Sequence, residues 1–213
     1  MLGSGLIPFF LSFLLGYLIG SFPTAYLLVQ WKFRIDIRKA GSGNVGAMNT
    51  IDVTRSRFVG LLVLFIDLLK GVVAVTLTGA IFGHEFWTEG IGGLGSILGH
   101  NYSPWLRFRG GRGLATAAGV LFVLGWFFVV IWCLIWSVTY AVSRNIHVSN
   151  ILALAISPVI IAVAPENYLR MALNPQIGVA EFSYFVVIVC IIVLLRHVQP
   201  IIELSKTLTK EHS

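Results

Sequence analysis

Charged residues are scarce in this chain. Only 11% of its 213 residues are Asp, Glu, Lys or Arg, whereas 57% are hydrophobic and the mean hydropathy is +0.88. A soluble domain carries about 25% charged residues because its surface needs them. The composition therefore excludes an ordinary soluble fold and predicts an integral membrane protein.

Cysteine is also scarce, and several common enzyme signatures are missing. Cys133 and Cys190 both lie within apolar runs, which predicts small core residues rather than a disulfide or a metal pair. The chain has no G-x-S-x-G nucleophile elbow, no Walker loop and no Cys/His metal spacing. We therefore expect no metal and no cofactor, and any chemistry must proceed without an obvious protein nucleophile.

Long apolar runs make up most of the sequence. We predict membrane spans at 6–31 (interrupted at 20–23), 58–83, 91–104, 114–143, 151–164 and 182–195. The run 114–143 would form a helix about 45 Å long, whereas the hydrocarbon core of a bilayer is about 30 Å thick. It is therefore either one strongly tilted span or two short ones.

The distribution of positive charge favours two short spans there. With seven spans and the N-terminus outside, the segments 32–57, 105–113, 144–150 and 196–213 lie inside and hold six, three, one and three of the fifteen Lys and Arg residues. A single span at 114–143 would put Arg144 on the other side. The fold prediction is an all-α membrane protein, one membrane domain over residues 1–213. It has seven helices, some short or broken, and a cytoplasmic C-terminus.

The first polar loop (residues 32–57) contains Gly41-Ser42-Gly43-Asn44-Val45-Gly46-Ala47, which formally matches a dinucleotide fingerprint. That fingerprint needs a preceding strand and a βαβ unit, but here a membrane span precedes it and another follows. Its glycines would still let backbone N–H groups approach an oxyanion, and Ser42, Asn44 and Asn49 add side-chain hydrogen bonds. The alternative interpretation is a flexible connector.

The second polar loop (residues 105–113) places three glycines around Arg112, just before the apolar run that begins at Leu114. A helix start and a guanidinium both favour a phosphate ligand. Arg107 and Arg109 are explained equally well as positive-inside anchors, but that does not explain why glycines surround Arg112. Upstream, His100 is either a structural hydrogen-bonding residue or part of the site.

Further charges lie at or within the spans. Asp67 and Lys70 are three residues apart on one helical face, which predicts a buried ion pair more readily than a wall of the site. Arg196 and His197 end the last span, where a basic pair is usually only an anchor.

These motifs occur together, in one order, over nearly the whole chain. They are Ser21-Phe22-Pro23, the first glycine motif, Asp67-Leu68-Leu69-Lys70-Gly71, Gly99-His100-x-Tyr102-x-Pro104, Phe108-Arg109-Gly110-Gly111-Arg112-Gly113-x-Ala115-Thr116 and Arg196-His197. In this the chain resembles the bacterial acyl-phosphate glycerol-3-phosphate acyltransferase family. The resemblance implies seven membrane helices, and transfer of a fatty acyl group from acyl phosphate to glycerol 3-phosphate in phospholipid synthesis. The H-x4-D motif of other glycerolipid acyltransferases is absent.

The resemblance also implies residue roles, partners and a location. Arg112 and His197 would be the catalytic residues. The substrate and phosphate ligands would be Ser42, Gly43, Asn44, Gly46, Ala47, Asn49, His100, Gly110, Gly111, Gly113 and Arg196. The partners would be the two substrates and membrane lipids, with no nucleic acid, in a monomer or weak homo-oligomer. The location would be the bacterial inner membrane, with the active-site loops facing the cytoplasm.

Three positions depart from the family's pattern. Arg112 stands where the family has lysine, Asp52 where it has arginine, and Pro200 where it has asparagine. All three fall on the expected phosphate or acceptor site, although Arg55 or Arg57 could replace the missing cation. Two alternatives therefore stay open: a divergent paralogue with another acyl donor or phosphorylated acceptor, and a non-catalytic lipid-binding or transport protein.

Overall fold

The computed structural model of the chain describes residues 6–173 and 177–197. Within these residues the secondary structure is helical, with short 3₁₀ turns at Ile37–Lys39 and Pro104–Leu106. The helices are α1 (Leu6–Gly20), α2 (Thr24–Phe33), α3 (Ala47–Thr54), α4 (Arg57–Phe82), α5 (Phe86–Asn101), α6 (Leu114–Ser143), α7 (Ile146–Val163), α8 (Glu166–Ala172) and α9 (Val179–Leu195). The chain forms two compact units, Met1–Leu124 and Gly125–Ser213.

The predicted interruption of the first span is confirmed. Helix α1 ends at Gly20 and α2 begins at Thr24, because Pro23 has no N–H group to continue the hydrogen-bond ladder. The Phe22 carbonyl accepts a hydrogen bond from the Thr24 N–H group (3.0 Å). We call residues 21–23 the α1/α2 break. It exposes backbone carbonyls that other elements of the first unit can bind.

Glycine allows α1 and α5 to pack closely in the first unit. A Cβ atom on Gly16 would collide with the Gly92 carbonyl, and one on Gly20 would collide with the Ser96 carbonyl. Such small residues, spaced four apart, let two membrane helices approach at backbone distance. The Tyr17 hydroxyl then donates to the Tyr102 carbonyl (2.6 Å). The close packing thus fixes the C-terminal end of α5, from which the second polar loop departs.

The long apolar run at 114–143 is helical but not continuous. Gly125 has non-helical backbone angles (φ −173°, ψ 74°) and separates two helical pieces. In the second unit the Phe127 and Phe182 rings pack at 5.2 Å between centroids. Helix α7 begins where the Asn145 side chain accepts hydrogen bonds from the His147 and Val148 N–H groups. The run is therefore interrupted at Gly125, and its division into two membrane spans stays a prediction.

Several element bounds differ from the sequence prediction. Helix α5 begins at Phe86 rather than 91, because Glu89 lies in its first turn, where a carboxylate stabilises the positive end of the helix dipole. Helix α7 begins at Ile146 rather than 151, since Asn145 caps it. The polar link after α7 contains α8, and the first polar loop contains α3, neither of which hydropathy predicts.

Four helical stretches of the described chain have the length and hydropathy to cross a membrane. They are Leu6–Phe33, Arg57–Phe82, Leu114–Ser143 and Ile146–Val163. Helix α9 is as apolar but has 17 residues, and α5 has 16. The apolar helices bear out an all-helical membrane protein. The number of crossings and the orientation of the termini stay predictions.

Candidate functional site

The first polar loop is organised by one buried side chain, Asn49. Its Oδ1 accepts from the Ser42 N–H group (2.9 Å), and its Nδ2 donates to the carbonyls of Ala40 (3.0 Å) and Asn44 (2.9 Å). Asn49 is 2% exposed. Its hydrogen-bonding groups are thus occupied within the loop, so its contribution is to hold the loop in shape.

Two glycines let the first loop curl around Asn49. Gly41 and Gly43 both have left-handed backbone angles, with φ values of 58° and 69°. Gly46 then stands at the N-cap of α3 and has no side chain to cover the first-turn N–H groups, which lack partners within the helix. Ser42 remains exposed. The loop therefore presents a hydroxyl and a helix start.

The glycines of the second polar loop are explained by close backbone contact. Gly110 N–H donates to the Asn101 carbonyl (3.1 Å), and Gly111 N–H donates to the His100 carbonyl (3.0 Å). A Cβ atom on Gly110 would collide with the His100 carbonyl, and one on Gly111 with the His100 ring. Gly113 has a φ of 84°, which favours glycine. The loop is folded back onto the end of α5.

The three arginines of the second loop differ in burial. Arg107 and Arg109 are exposed, whereas Arg112 is half-buried beside the start of α6. This difference in burial agrees with the sequence interpretation, in which Arg107 and Arg109 are membrane anchors and Arg112, between glycines, is not. A guanidinium held at a helix start is well placed to bind a phosphate group.

The two polar loops meet at Gly111. A Cβ atom there would lie 2.9 Å from the Val45 carbonyl of the first loop, while the His100 ring lies on the same glycine. Val45 is 4% exposed and His100 is 8% exposed. The structure thus brings His100 and the two glycine motifs together in the first unit. The sequence alone placed them more than fifty residues apart.

Buried charge lies next to this meeting point. Lys70 Nζ is 2.7 Å from Asp67 Oδ1, which confirms the predicted ion pair. Lys70 also donates to the Phe22 carbonyl (2.7 Å), and His100 Nδ1 lies 3.8 Å from Asp67 Oδ1. Neither of these two further contacts could be predicted from local sequence, because Phe22 and His100 both lie far from α4 in the chain.

Arg196 and His197 follow α9 in the second unit. His197 is fully buried, and its Nδ1 lies 2.8 Å from the Val193 carbonyl. A carbonyl only accepts hydrogen bonds, so Nδ1 carries the proton, and in the neutral ring the lone pair is on Nε2. His197 is therefore held in the tautomer that a base acting through Nε2 requires. Pro200 lies outside the described residues.

The departure at Asp52 is not offset by a buried cation nearby in the first loop. Asp52 lies exposed on α3, and Arg55 and Arg57 are exposed as well.

Sequence reasoning did not single out Arg38, which binds Asp36 through Nε (2.9 Å) and a terminal nitrogen (2.8 Å). The hydrogen bonds from Arg38 lower the pKa of Asp36 to about 2. Arg38 also stacks over the Tyr26 ring at 4.7 Å.

The apolar helices and the glycine-rich loops packed beside buried charge define an integral membrane protein with a polar site. The family model for glycerol-3-phosphate acyltransferase matches residues 10–207. A glycerol-3-phosphate acyltransferase 2 of Moorella thermoacetica is 42% identical over 151 residues, which are 71% of this chain and 76% of that protein. A glycerol-3-phosphate acyltransferase of a Synechococcus species is 38% identical over 165 residues, which are 76% of this chain and 81% of that one.

Two solved structures are also similar. Both are of PlsY (YgiH), an integral membrane glycerol 3-phosphate acyltransferase, in its glycerol 3-phosphate form (TM-score 0.78) and its lysophosphatidic acid form (0.77). Each is 27% identical and covers 93% of this chain and 92% of that chain. This chain belongs to the glycerol-3-phosphate acyltransferase family. It is an enzyme of that class.

Proposed function

We propose that this chain transfers a fatty acyl group from an acyl phosphate to the 1-hydroxyl of glycerol 3-phosphate. The hydroxyl oxygen attacks the carbonyl carbon, the bond from that carbon to the phosphate oxygen breaks, and lysophosphatidic acid and phosphate are formed. The similar solved protein is described with glycerol 3-phosphate and with lysophosphatidic acid, an acceptor and a product of this reaction. Both of its forms therefore support the proposal.

The observation that carries the proposal is the meeting of the two loops at Gly111, next to the half-buried Arg112. An acyl phosphate already contains a good leaving group, so the protein need not form a covalent acyl-enzyme. It needs to align the hydroxyl with the carbonyl and to stabilise the charge that develops on the carbonyl oxygen and the phosphate. Backbone N–H groups and a guanidinium are suited to that task.

The proposed roles follow the two loops. Arg112 stabilises the departing phosphate, and Gly110, Gly111 and Gly113 shape the wall of the site beside it. In the first loop, Ser42, Gly43, Asn44, Gly46 and Ala47 cradle the second phosphate. Asn49 and His100 act differently, because Asn49 shapes the first loop from inside and His100 supports Gly111.

The proton of the attacking hydroxyl has two possible acceptors. A phosphate oxygen can take it directly, and His197 is the protein alternative. The hydrogen bond from His197 Nδ1 to the Val193 carbonyl supports the second, because it leaves the basic lone pair on Nε2. Arg196 would assist by attracting glycerol 3-phosphate.

The membrane arrangement is also part of the proposal. Seven crossings, with the N-terminus outside, put thirteen of the fifteen Lys and Arg residues on the cytoplasmic side. The non-helical backbone at Gly125 supports counting α6 as two crossings, and α5 and α9 would be short ones. The chain would then be one domain of the bacterial inner membrane, a monomer or weak homo-oligomer, with both polar loops facing the cytoplasm.

The experiment is turnover by the purified protein in detergent or proteoliposomes. With a fatty acyl phosphate and glycerol 3-phosphate, we expect equal amounts of inorganic phosphate and lysophosphatidic acid. Other phosphorylated alcohols serve as competing acceptors, because Asp52 stands where a cation is expected in the first loop. An acyl thioester serves as the competing donor. Preference for one of these, or phosphate release without an acylated product, would contradict the proposal.

A further inference from the structure

The ion pair between Asp67 and Lys70 has no role in the chemistry proposed above. Both residues are buried in the middle of α4, with 3% and 6% of their surface exposed. Removing two charges from water costs several kcal/mol per ion, and an apolar pair of the same size is often equally stable. Stability alone is therefore a weak explanation for the presence of this buried ion pair. Its contacts indicate a different role.

Lys70 connects α4 to the α1/α2 break. Its ammonium group donates to the Phe22 carbonyl at 2.7 Å, in addition to the ion pair with Asp67. The Phe22 carbonyl also accepts from the Thr24 N–H group. A charge-assisted hydrogen bond of this length, away from water, fixes the position of the carbonyl more firmly than a neutral bond would.

Asp67 connects the same pair to the second polar loop. Its Oδ1 lies 3.8 Å from His100 Nδ1, and the other side of the His100 ring lies against Gly111. The His100 carbonyl accepts from the Gly111 N–H group. A shift of Asp67 would thus move the ring on which Gly111 rests.

The α1/α2 break and the second loop are also joined directly. The Ser103 hydroxyl donates to the Ser21 carbonyl (2.6 Å), and the Trp105 indole N–H donates to the Ser21 hydroxyl (3.0 Å). One small cavity is lined by Phe22, Asp67, Lys70, His100, Ser103 and Gly111 together. The break, the ion pair and the second loop therefore lie together around one small cavity.

We infer that Asp67 and Lys70 are positioning residues, which hold the α1/α2 break and His100 so that Gly111 and Arg112 keep the geometry needed for acyl transfer. This inference rests on the proposed function for the role of the second loop. The ion pair touches neither substrate in this account. It acts through the Phe22 carbonyl and the His100 ring.

The test uses the full chain with the double substitution Asp67→Asn/Lys70→Met. It removes both charges at nearly constant volume, so no unpaired charge is left buried. The matched control is Glu166→Gln/Arg170→Met, which removes an exposed ion pair on α8. Lys70→Arg is the conservative variant, because it keeps a cation beside Asp67.

Two readouts separate positioning from general stabilisation. We expect hydrogen–deuterium exchange in residues 104–113 to accelerate about tenfold in the double variant, while exchange in 146–173 stays unchanged. We also expect kcat to fall about 10- to 100-fold, since small misplacements of reacting groups have effects of that size. Lys70→Arg should keep most of the kcat of the unsubstituted chain, and the control should match the unsubstituted chain in both readouts.

Unchanged exchange in 104–113 would overturn the inference. Faster exchange in every helix would also overturn it, because the pair would then be a general stabilising feature. The exchange readout does not depend on turnover. If the unsubstituted chain fails to acylate glycerol 3-phosphate, the proposed function fails, whereas the positioning of the second loop by the ion pair is still decided by exchange.

Discussion

The two polar loops are held in shape by different means. In the first, one buried side chain, Asn49, binds the backbone at Ser42, Ala40 and Asn44. In the second, backbone N–H groups of Gly110 and Gly111 bind the carbonyls of Asn101 and His100. The first loop encloses a side chain, whereas the second is pressed against the end of a helix.

This difference predicts where each loop tolerates substitution. A loop organised by one side chain loses its shape when that side chain is removed, and it tolerates small changes elsewhere. A loop held by close backbone contact has no room for a Cβ atom, so its glycines are the sensitive positions. The four predictions that follow test this contrast, beginning with the largest effect.

The largest effect is expected at Arg112. Arg112→Ala removes the guanidinium beside the start of α6 and should lower kcat by about 10²- to 10³-fold, the usual effect of losing one preorganised group that stabilises developing charge. Arg107→Ala, in the same loop but exposed, should change kcat little. Steady-state phosphate release measures both. Similar losses of kcat in the two variants would show that the glycines around Arg112 do not mark it as the arginine that acts in catalysis.

The next effect is expected at Gly111. Gly111→Ala places a Cβ atom against the His100 ring and the Val45 carbonyl, so the loops must separate. We expect kcat to fall about 10- to 100-fold. Gly178→Ala in the second unit, where the nearest group is the flexible end of Glu181, is the control. A Gly111→Ala variant as active as this control would contradict the close contact.

Substitution of Asn49 should lower the stability of the protein, because this side chain shapes the first loop from inside. Asn49→Ala leaves the Ser42 N–H group and the Ala40 and Asn44 carbonyls without their partner, which should cost about 1–3 kcal/mol of unfolding free energy. Ser42→Ala keeps its N–H group bound to Asn49 and should change stability by less than about 0.5 kcal/mol. Thermal unfolding in detergent compares them. Equal shifts would mean that the first loop is not organised by Asn49.

The smallest effect is expected at the half-exposed pair of Asp36 and Arg38. The pKa of Asp36 is lower in the folded chain (about 2) than its ordinary value of 3.8. Its stabilising contribution is therefore present above pH 3.8 and is lost as the pH falls toward 2. Asp36→Asn should cost less than about 1 kcal/mol at pH 7. The difference in Tm from the unsubstituted chain should vanish near pH 2, and a constant difference would contradict this.

Much of this architecture could be predicted from local sequence. The interruption near Pro23, an interruption within 114–143 and the Asp67–Lys70 pair all follow from spacing, helix geometry and charge. Each of these signals acts within a few residues or one helical turn. The membrane class follows from composition alone.

The remaining features depend on contacts between distant segments. Asn49 resembles any polar loop residue until the backbone of residues 40–44 folds around it. Lys70 pairs predictably with Asp67, but its bond to the Phe22 carbonyl spans 48 residues. The short helices α3 and α8 are too polar for hydropathy to detect. These features could not be predicted because their partners are fixed only by tertiary packing.

The most direct test of the central claim is acyl transfer to glycerol 3-phosphate that carries ¹⁸O at its 1-hydroxyl. If this hydroxyl attacks the carbonyl carbon of the acyl phosphate, mass spectrometry will find the label in the ester of lysophosphatidic acid and none in the released phosphate. If the hydroxyl attacked phosphorus instead, the fatty acid would be released and the label would bridge glycerol and phosphorus in a glycerol bisphosphate. That product, or phosphate released without an acylated glycerol 3-phosphate, would contradict the account.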